Sequence, residues 1–222
     1  MNRTGGEAAA TVLVIAGRSI DIDTAVATAH GYPAVTVARY DLPGPGPAES
    51  ITADEIARTH KVRSRISHAQ RDWFIRSAVD APWAAVPIEA QLVDADPHVS
   101  GELYDRAEAL YDHFHTVAPR HVGVAKISKV LHLKRPGMFP ILDSKVIAFY
   151  RPHARAAATR YHPRGRRAMF WAAIRDDVCT NLDSGALPLL RRRLAQSESE
   201  QVRRIATLTD VRLLDLLTWA VA

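Results

Sequence analysis

The chain has 222 residues, 47% of them hydrophobic and 24% charged, which is enough to bury a substantial core in one large domain or two small ones. No apolar run approaches the ~18 residues of a membrane-spanning helix. The single cysteine, Cys179, can make neither an internal disulfide nor a Cys-based zinc site, so a cytoplasmic protein without metal or cofactor is expected, and the net charge of +5 puts nucleic acid among its partners.

Residues 1–7 read as a disordered leader. Ala8 to Gly17, rich in Val and Ile, fits a strand or a short buried helix equally well, because periodicity does not separate the two. A helix is expected over Asp23 to His30, capped by Asp21 or Asp23 and closed by Gly31. Pro33 to Tyr40 alternates weakly and reads as extended. Leu42 to Ser50 holds three prolines and two glycines and can be neither helix nor central strand. It divides the chain into an N-terminal segment, 1–49, packing on a helical domain, 50–222.

Beyond this boundary the pattern is helical. Thr52 with Glu55 three residues on is a capping box, and helix continues over Gln70 to Val79 until Asp80-Ala-Pro-Trp83 breaks it. A short helix is expected from Pro87 to Val93. Gly101 to Thr116 is amphipathic, with Leu103, Ala107, Leu110, Tyr111 and Phe114 on one face. Further helices are expected over Val122 to Lys134, Asp143 to Tyr150, Arg166 to Leu182, Pro188 to Arg193, Glu198 to Thr207 and Asp210 to Ala222. The fold class is mainly α, with a small N-terminal extension that includes an extended element.

Of the 29 basic residues 24 are Arg and five are Lys. An Arg bias of this kind follows from high-GC coding and says little about binding. Lysine placement says more, because Lys126, Lys129, Lys134 and Lys145 fall within twenty residues. In the same stretch, Phe139-Pro140-Ile141-Leu142 is apolar enough to anchor in a core, and Asp143 follows at once, where it would N-cap the next helix. A carboxylate planted by rigid neighbours is suited to chemistry; as a cap it needs none.

The segment FPILDSKV (Phe139 to Val146) resembles the F-P-I-L-D-G-N-V run of adenine-excising members of the helix-hairpin-helix DNA glycosylase superfamily. The pattern S-K-x-L-H-x-x-R-P-x-x-F-P-I-x-D also resembles an actinobacterial family without an assigned activity. The glycosylase resemblance implies a helix-hairpin-helix fold and duplex DNA as partner. It makes Asp143 the catalytic carboxylate that assists departure of a flipped base. It places the phosphate-binding hairpin at Gly123-Val-Ala-Lys126. The departures are Ala125 for the hairpin's second glycine and His121-Val122 for its Pro-Gly. One register puts the lyase-lysine position on Ile127, making the enzyme monofunctional; the other puts it on Lys126, a second catalytic candidate. A non-catalytic DNA-binding module and a base- or nucleotide-modifying enzyme on the same scaffold are the alternatives.

The remaining candidates come from the residues themselves. Gly123, Lys126, Lys129, Lys145, Arg151, Arg155 and Arg164 would contact phosphates, the last three from a tract (Arg151 to Arg167) with six arginines that otherwise reads as a solvated loop. Trp83, beside Pro82 in a loop, is the base-stacking candidate. Trp83 otherwise reads as core, as do Trp73, Trp171 and Trp219. His132 reads as a packed core-edge histidine, and His113 with His115 points to different helix faces and makes no metal site.

Overall fold

The ambiguous N-terminal run is extended from Val12 onward. In a computed structural model, which describes residues 12–222, β1 (Val12–Ile15) and β2 (Arg18–Asp21) form an antiparallel hairpin with Val12 opposite Asp21 and Ile15 opposite Arg18. The leader expected at residues 1–7 lies outside the described residues. Ala16 and Gly17 both take positive φ (46° and 71°), the two-residue turn that matches strand twist. Two side chains of α8 (Phe170–Asp183) clasp the hairpin. Asn181 accepts from Val14 N at 2.8 Å and donates to Val14 O at 2.7 Å, and Asp177 accepts from Ala16 N at 2.7 Å.

Helix α1 (Ile22–Gly31) starts where expected, with Asp21 accepting from Thr24 N. The next segment corrects the sequence reading: Pro33 to Tyr40 is not extended but helical. Short α2 (Ala34–Thr36) runs directly into a π-helical turn, Val37–Asp41. Val37 and Tyr40, three apart, are both buried, so a helical face outweighed a weak alternation. The wide turn also carries Asp41 into the interior. The Pro/Gly-rich loop follows as expected, and Gly46 (φ +64°) is required there, since a Cβ would stand 2.7 Å from a Glu55 oxygen.

Helices α3 (Ala53–Arg58) and α4 (His68–Ser77) each begin on a complete capping box, Thr52 with Glu55 and Ser67 with Gln70. Between them a 3-10 turn, Thr59–Val62, ends at Arg63, which is left-handed (φ 58°). The short helix expected over Pro87 to Val93 is instead a turn followed by a single 3-10 turn, Leu92–Asp94. Helix α5 (Leu103–His115) buries Ala107, Leu110 and Phe114 as its pattern requires. Then come α6 (Val124–Lys134), α7 (Ser144–Arg160), α8, α9 (Ala186–Ala195), α10 (Glu200–Ile205) and α11 (Asp210–Val221). Helix α7 continues through Pro152, so most of the arginine tract read as a loop is helical.

The described residues are therefore mainly α with one small hairpin. Helix α1 packs on α9, α10 and α11, so the N-terminal segment closes over the C-terminal helices. That closure brings α1, the 3-10 turn, α6 and α11 around one cavity. Among the described residues no helix is long and apolar enough to cross a membrane.

Candidate active site

The FPIL run does what its composition suggests. Phe139, Ile141 and Leu142 are buried, and two bonds from α6 fix the backbone. Leu142 N donates to Ser128 Oγ at 3.0 Å, and His132 Nδ1 lies 2.7 Å from Phe139 O. Burial pushes the His132 ring down to about 3, so the imidazole is neutral and its Nδ1–H is the donor to that carbonyl. His132 stacks against Tyr40, and Tyr40 Oη donates to Lys129 O at 2.8 Å.

This scaffold holds Asp143 half-buried at the head of α7. Its Oδ1 accepts from Lys145 N at 3.0 Å and Val146 N at 2.9 Å. Both readings of the residue hold at once, because one oxygen caps the helix while Oδ2 accepts no hydrogen bond among the described residues. Asp143 lines a cavity of 370 Å³, within the roughly 300–1,000 Å³ of small-molecule sites.

Lys129 lines the same cavity. It is 6% exposed, and among the described residues its ammonium makes neither hydrogen bond nor ion pair. Desolvation lowers its pKa, opposed by the nearby carboxylates of Asp143 and Asp215. A lysine held this way is poised to lose a proton, the property of amine nucleophiles and of acid–base lysines.

The cavity floor is a buried ionic cluster that the sequence reading did not find. Arg212 is 4% exposed and its Nε donates to Asp41 Oδ1 at 2.7 Å. Its Nη2 donates to Tyr32 Oη at 2.5 Å and its Nη1 to Asp215. Burial raises Asp215 to about 6 despite this partner. Asp41 is raised for the same reason, and its Oδ2 is buried without a partner. The signal was present in DVRLLDLLTWAV (Asp210 to Val221), where Arg212 and Asp215 interrupt an otherwise apolar helix at i,i+3. Apolar walls come from Pro33, Val62, Ile141 and Leu216, and the mouth carries Lys61, Arg63 and Trp219.

The other sequence candidates divide. Lys145 is exposed beside the mouth, its Nζ 4.6 Å from the centre of the Trp219 ring. Lys126 is not in the cavity; its Nζ donates to Gln70 Oε1 of α4 at 2.7 Å, so it does not stand with Asp143. Ile127, the other register's position, is fully buried. Gly123 is the exposed N-cap of α6, and Arg151 and Arg155 lie exposed along α7.

Several readings are corrected. Trp83 is 2% exposed, donates Nε1–H to Ala78 O at 2.8 Å and packs on Phe114, so no base can reach it. Trp219, read as core, is instead 41% exposed. Arg164 is spent internally. It pairs with Asp105 and Glu108, donates to Pro97 O and lies over the Tyr104 ring. Lys134, counted in the lysine cluster, is likewise structural, as is Arg135 beside it, which donates to the carbonyls of Val86, Ala48 and Trp83.

No curated protein and no solved structure matches the chain. Residues 65–222 match the model of a family described as a family of unknown function, DUF6308. The matched segment contains Lys129, Asp143, Arg212, Asp215 and Trp219, whereas Tyr32, Asp41, Lys61 and Arg63 precede it. The chain belongs to the DUF6308 family.

Proposed function

We propose that the protein binds DNA and cleaves an N-glycosidic bond of a nucleotide turned out of the stack into the cavity, in the manner of the helix-hairpin-helix glycosylases that FPILD resembles. One observation carries this reading: Asp143, with a free carboxylate oxygen, and Lys129, desolvated and unpartnered, open into one cavity of 370 Å³. A module that only bound DNA would have no use for an unpaired ammonium kept from water, which costs stability without return.

The chemistry follows from the two groups. As the bond from C1′ to the base nitrogen lengthens, positive charge grows on the sugar, and the Asp143 carboxylate stabilises it. Water adds at C1′, giving up one proton, and the base departs having gained one. The product is an abasic sugar and a free base. A second route opens once Lys129 has given up its proton: the amine then attacks C1′, the base leaves with a proton, and the opened sugar is held as an imine. Extrusion of the base costs a few kcal/mol, least at a mismatched or damaged pair.

The test is base release from duplex oligonucleotides carrying mismatched, deaminated or oxidised bases, read as alkali-labile strand breaks. Asp143→Asn keeps the capping oxygen and is expected to lower excision by roughly two to three powers of ten while duplex affinity stays equal or rises. Borohydride trapping of a protein–DNA adduct that Lys129→Met abolishes identifies the covalent route; excision without trapping identifies the hydrolytic one. Full excision by Asp143→Asn, or none by the wild type on any of these duplexes, overturns the proposal.

A further inference from the structure

The mouth of the cavity has a composition that the excision chemistry does not use. Trp219 is the exposed aromatic there, and two cations stand on it. The Arg63 guanidinium carbon is 5.4 Å and the Lys145 Nζ 4.6 Å from the ring centre. Lys145 also donates to Trp219 O at 2.7 Å. The two cations are therefore no more than about 10 Å apart, the sum of these distances, and neither has a carboxylate partner among the described residues. Lys61 lines the same rim, also without an ion pair.

The charge balance sharpens this. Arg212 is held in the floor by two carboxylates, Asp41 and Asp215, which outnumber it by one. The cavity and its mouth then hold four cations, Lys61, Arg63, Lys129 and Lys145, against Asp143 and the one floor carboxylate in excess of Arg212. Like charges gathered around one ring repel, and an anion placed between them removes that repulsion. The backbone adds an independent observation. Arg63 is a non-glycine residue held left-handed at φ 58°, a conformation that costs an L-residue energy and tends to be kept where function uses it.

We propose that Arg63, Lys145 and Trp219 form a phosphate-and-ring clamp, in which the two cations take the phosphate of a nucleotide unit and the indole, uncovered as they move onto it, stacks on the base or sugar entering the cavity. The clamp rests on the excision reading for what happens inside the cavity, but not for what the mouth binds. The ligand chemistry is a phosphorylated nucleoside, whether one unit of a DNA strand or a free mononucleotide.

Fluorescence anisotropy of short labelled single-stranded and duplex oligonucleotides, with quenching of Trp219 by deoxynucleoside monophosphates, inorganic phosphate and unphosphorylated nucleosides, tests the clamp. Phosphorylated probes are expected to bind at least about tenfold more tightly than nucleosides, as an anion-dependent site requires. The Arg63→Ala/Lys145→Ala variant should lose at least about tenfold in affinity, and the slope of log affinity against log salt should fall by about one, for the one phosphate that the two cations hold. Trp219→Ala should weaken binding by roughly 5- to 100-fold with the salt slope unchanged, as loss of stacking without charge does. Arg63→Gly removes the same charge while relieving the backbone, so a fold defect in the alanine variant cannot imitate the result.

Saturation by oligonucleotides only, or by mononucleotides as well, assigns the source of the phosphate and supports the clamp either way. Unchanged affinity and salt slope in the double variant overturn it, as does failure of every phosphorylated probe to bind. The two readings fail separately. Excision with a salt slope indifferent to Arg63 and Lys145 leaves the chemistry and removes the clamp, whereas clamp behaviour without excision does the reverse.

Discussion

Lys129 and Lys134 sit five residues apart on the same helix, and both are buried, yet they are opposites. The three protons of Lys134 are all used: Nζ donates to Pro45 O and Pro47 O, each at 2.5 Å, and to Glu55 Oε1 at 2.6 Å. The side chain is fully enclosed. It staples the Pro/Gly-rich loop to α3 and α6, and Gly46 lets the loop approach Glu55 that closely. Lys129 has no such partner and faces a cavity. A buried lysine with every donor satisfied is architecture. One with none satisfied, beside a carboxylate that has an oxygen to spare, is a candidate for chemistry.

The largest expected effect tests the architectural half. Lys134→Met should destabilise the fold by about 3–5 kcal/mol, since it leaves the Glu55 carboxylate buried and unpaired. Adding Glu55→Gln should recover part of the loss, because the uncharged amide needs no counter-ion. Lys129→Met, by contrast, removes a desolvated charge without a partner and should leave the fold as stable as before or more stable. Urea denaturation of the three variants decides it; equal losses from Lys129→Met and Lys134→Met would erase the distinction.

This contrast also marks the limit of what the sequence told. The helices announced themselves locally: both capping boxes, the amphipathic face of α5 and the Asp143 cap are set by neighbours three or four residues away. Asp143 and Lys129 were nameable as site residues because their neighbourhood is one continuous segment. The rest of the cavity was not, since Tyr32, Asp41 and Arg63 reach Arg212 and Trp219 only through the packing of α1 on the last three helices. The same distance explains the exchange of tryptophans. Trp83 stayed a stacking candidate because it sits in a loop beside Pro82, but α5 covers it through Phe114. Trp219 looked buried in an apolar helix, but α11 turns that position toward the mouth. Lysines were grouped by sequence proximity, and only their partners separate them.

A smaller effect concerns the floor beneath Lys129. Burial raises the folded-state pKa of Asp215 to about 6, above the roughly 3.9 of an unfolded chain. A carboxyl raised on folding stabilises the protein fully below the unfolded value, and that contribution is lost as pH climbs through the folded one. Asp215→Asn does not titrate. Between pH 4 and pH 7 the stability difference should therefore move in favour of the variant by up to about 3 kcal/mol, whatever its offset at acid pH from the loss of an Arg212 partner. Thermal melts of both proteins across that range check it. A difference that stays flat would mean that Arg212 holds Asp215 ionised throughout, and the floor would then be a plain salt bridge like that of Lys134.

The smallest effect lies at the rim. Arg63 pays for its left-handed backbone, by roughly 1–2 kcal/mol on the scale that disfavours this region for L-residues. Glycine carries no such penalty but adds freedom to the unfolded chain, which offsets about half of the gain. Arg63→Gly should thus raise stability modestly, by up to about 1 kcal/mol, while the loss of its guanidinium weakens phosphate binding. Stability and binding moving in opposite directions is the outcome expected of a residue kept for its ligand. The side chain makes no hydrogen bond or ion pair among the described residues to set against this gain, only the contact with the Trp219 ring. A variant that instead melts lower would show that this contact outweighs the backbone cost, and would move Arg63 to the side of Lys134, among the residues that hold the fold.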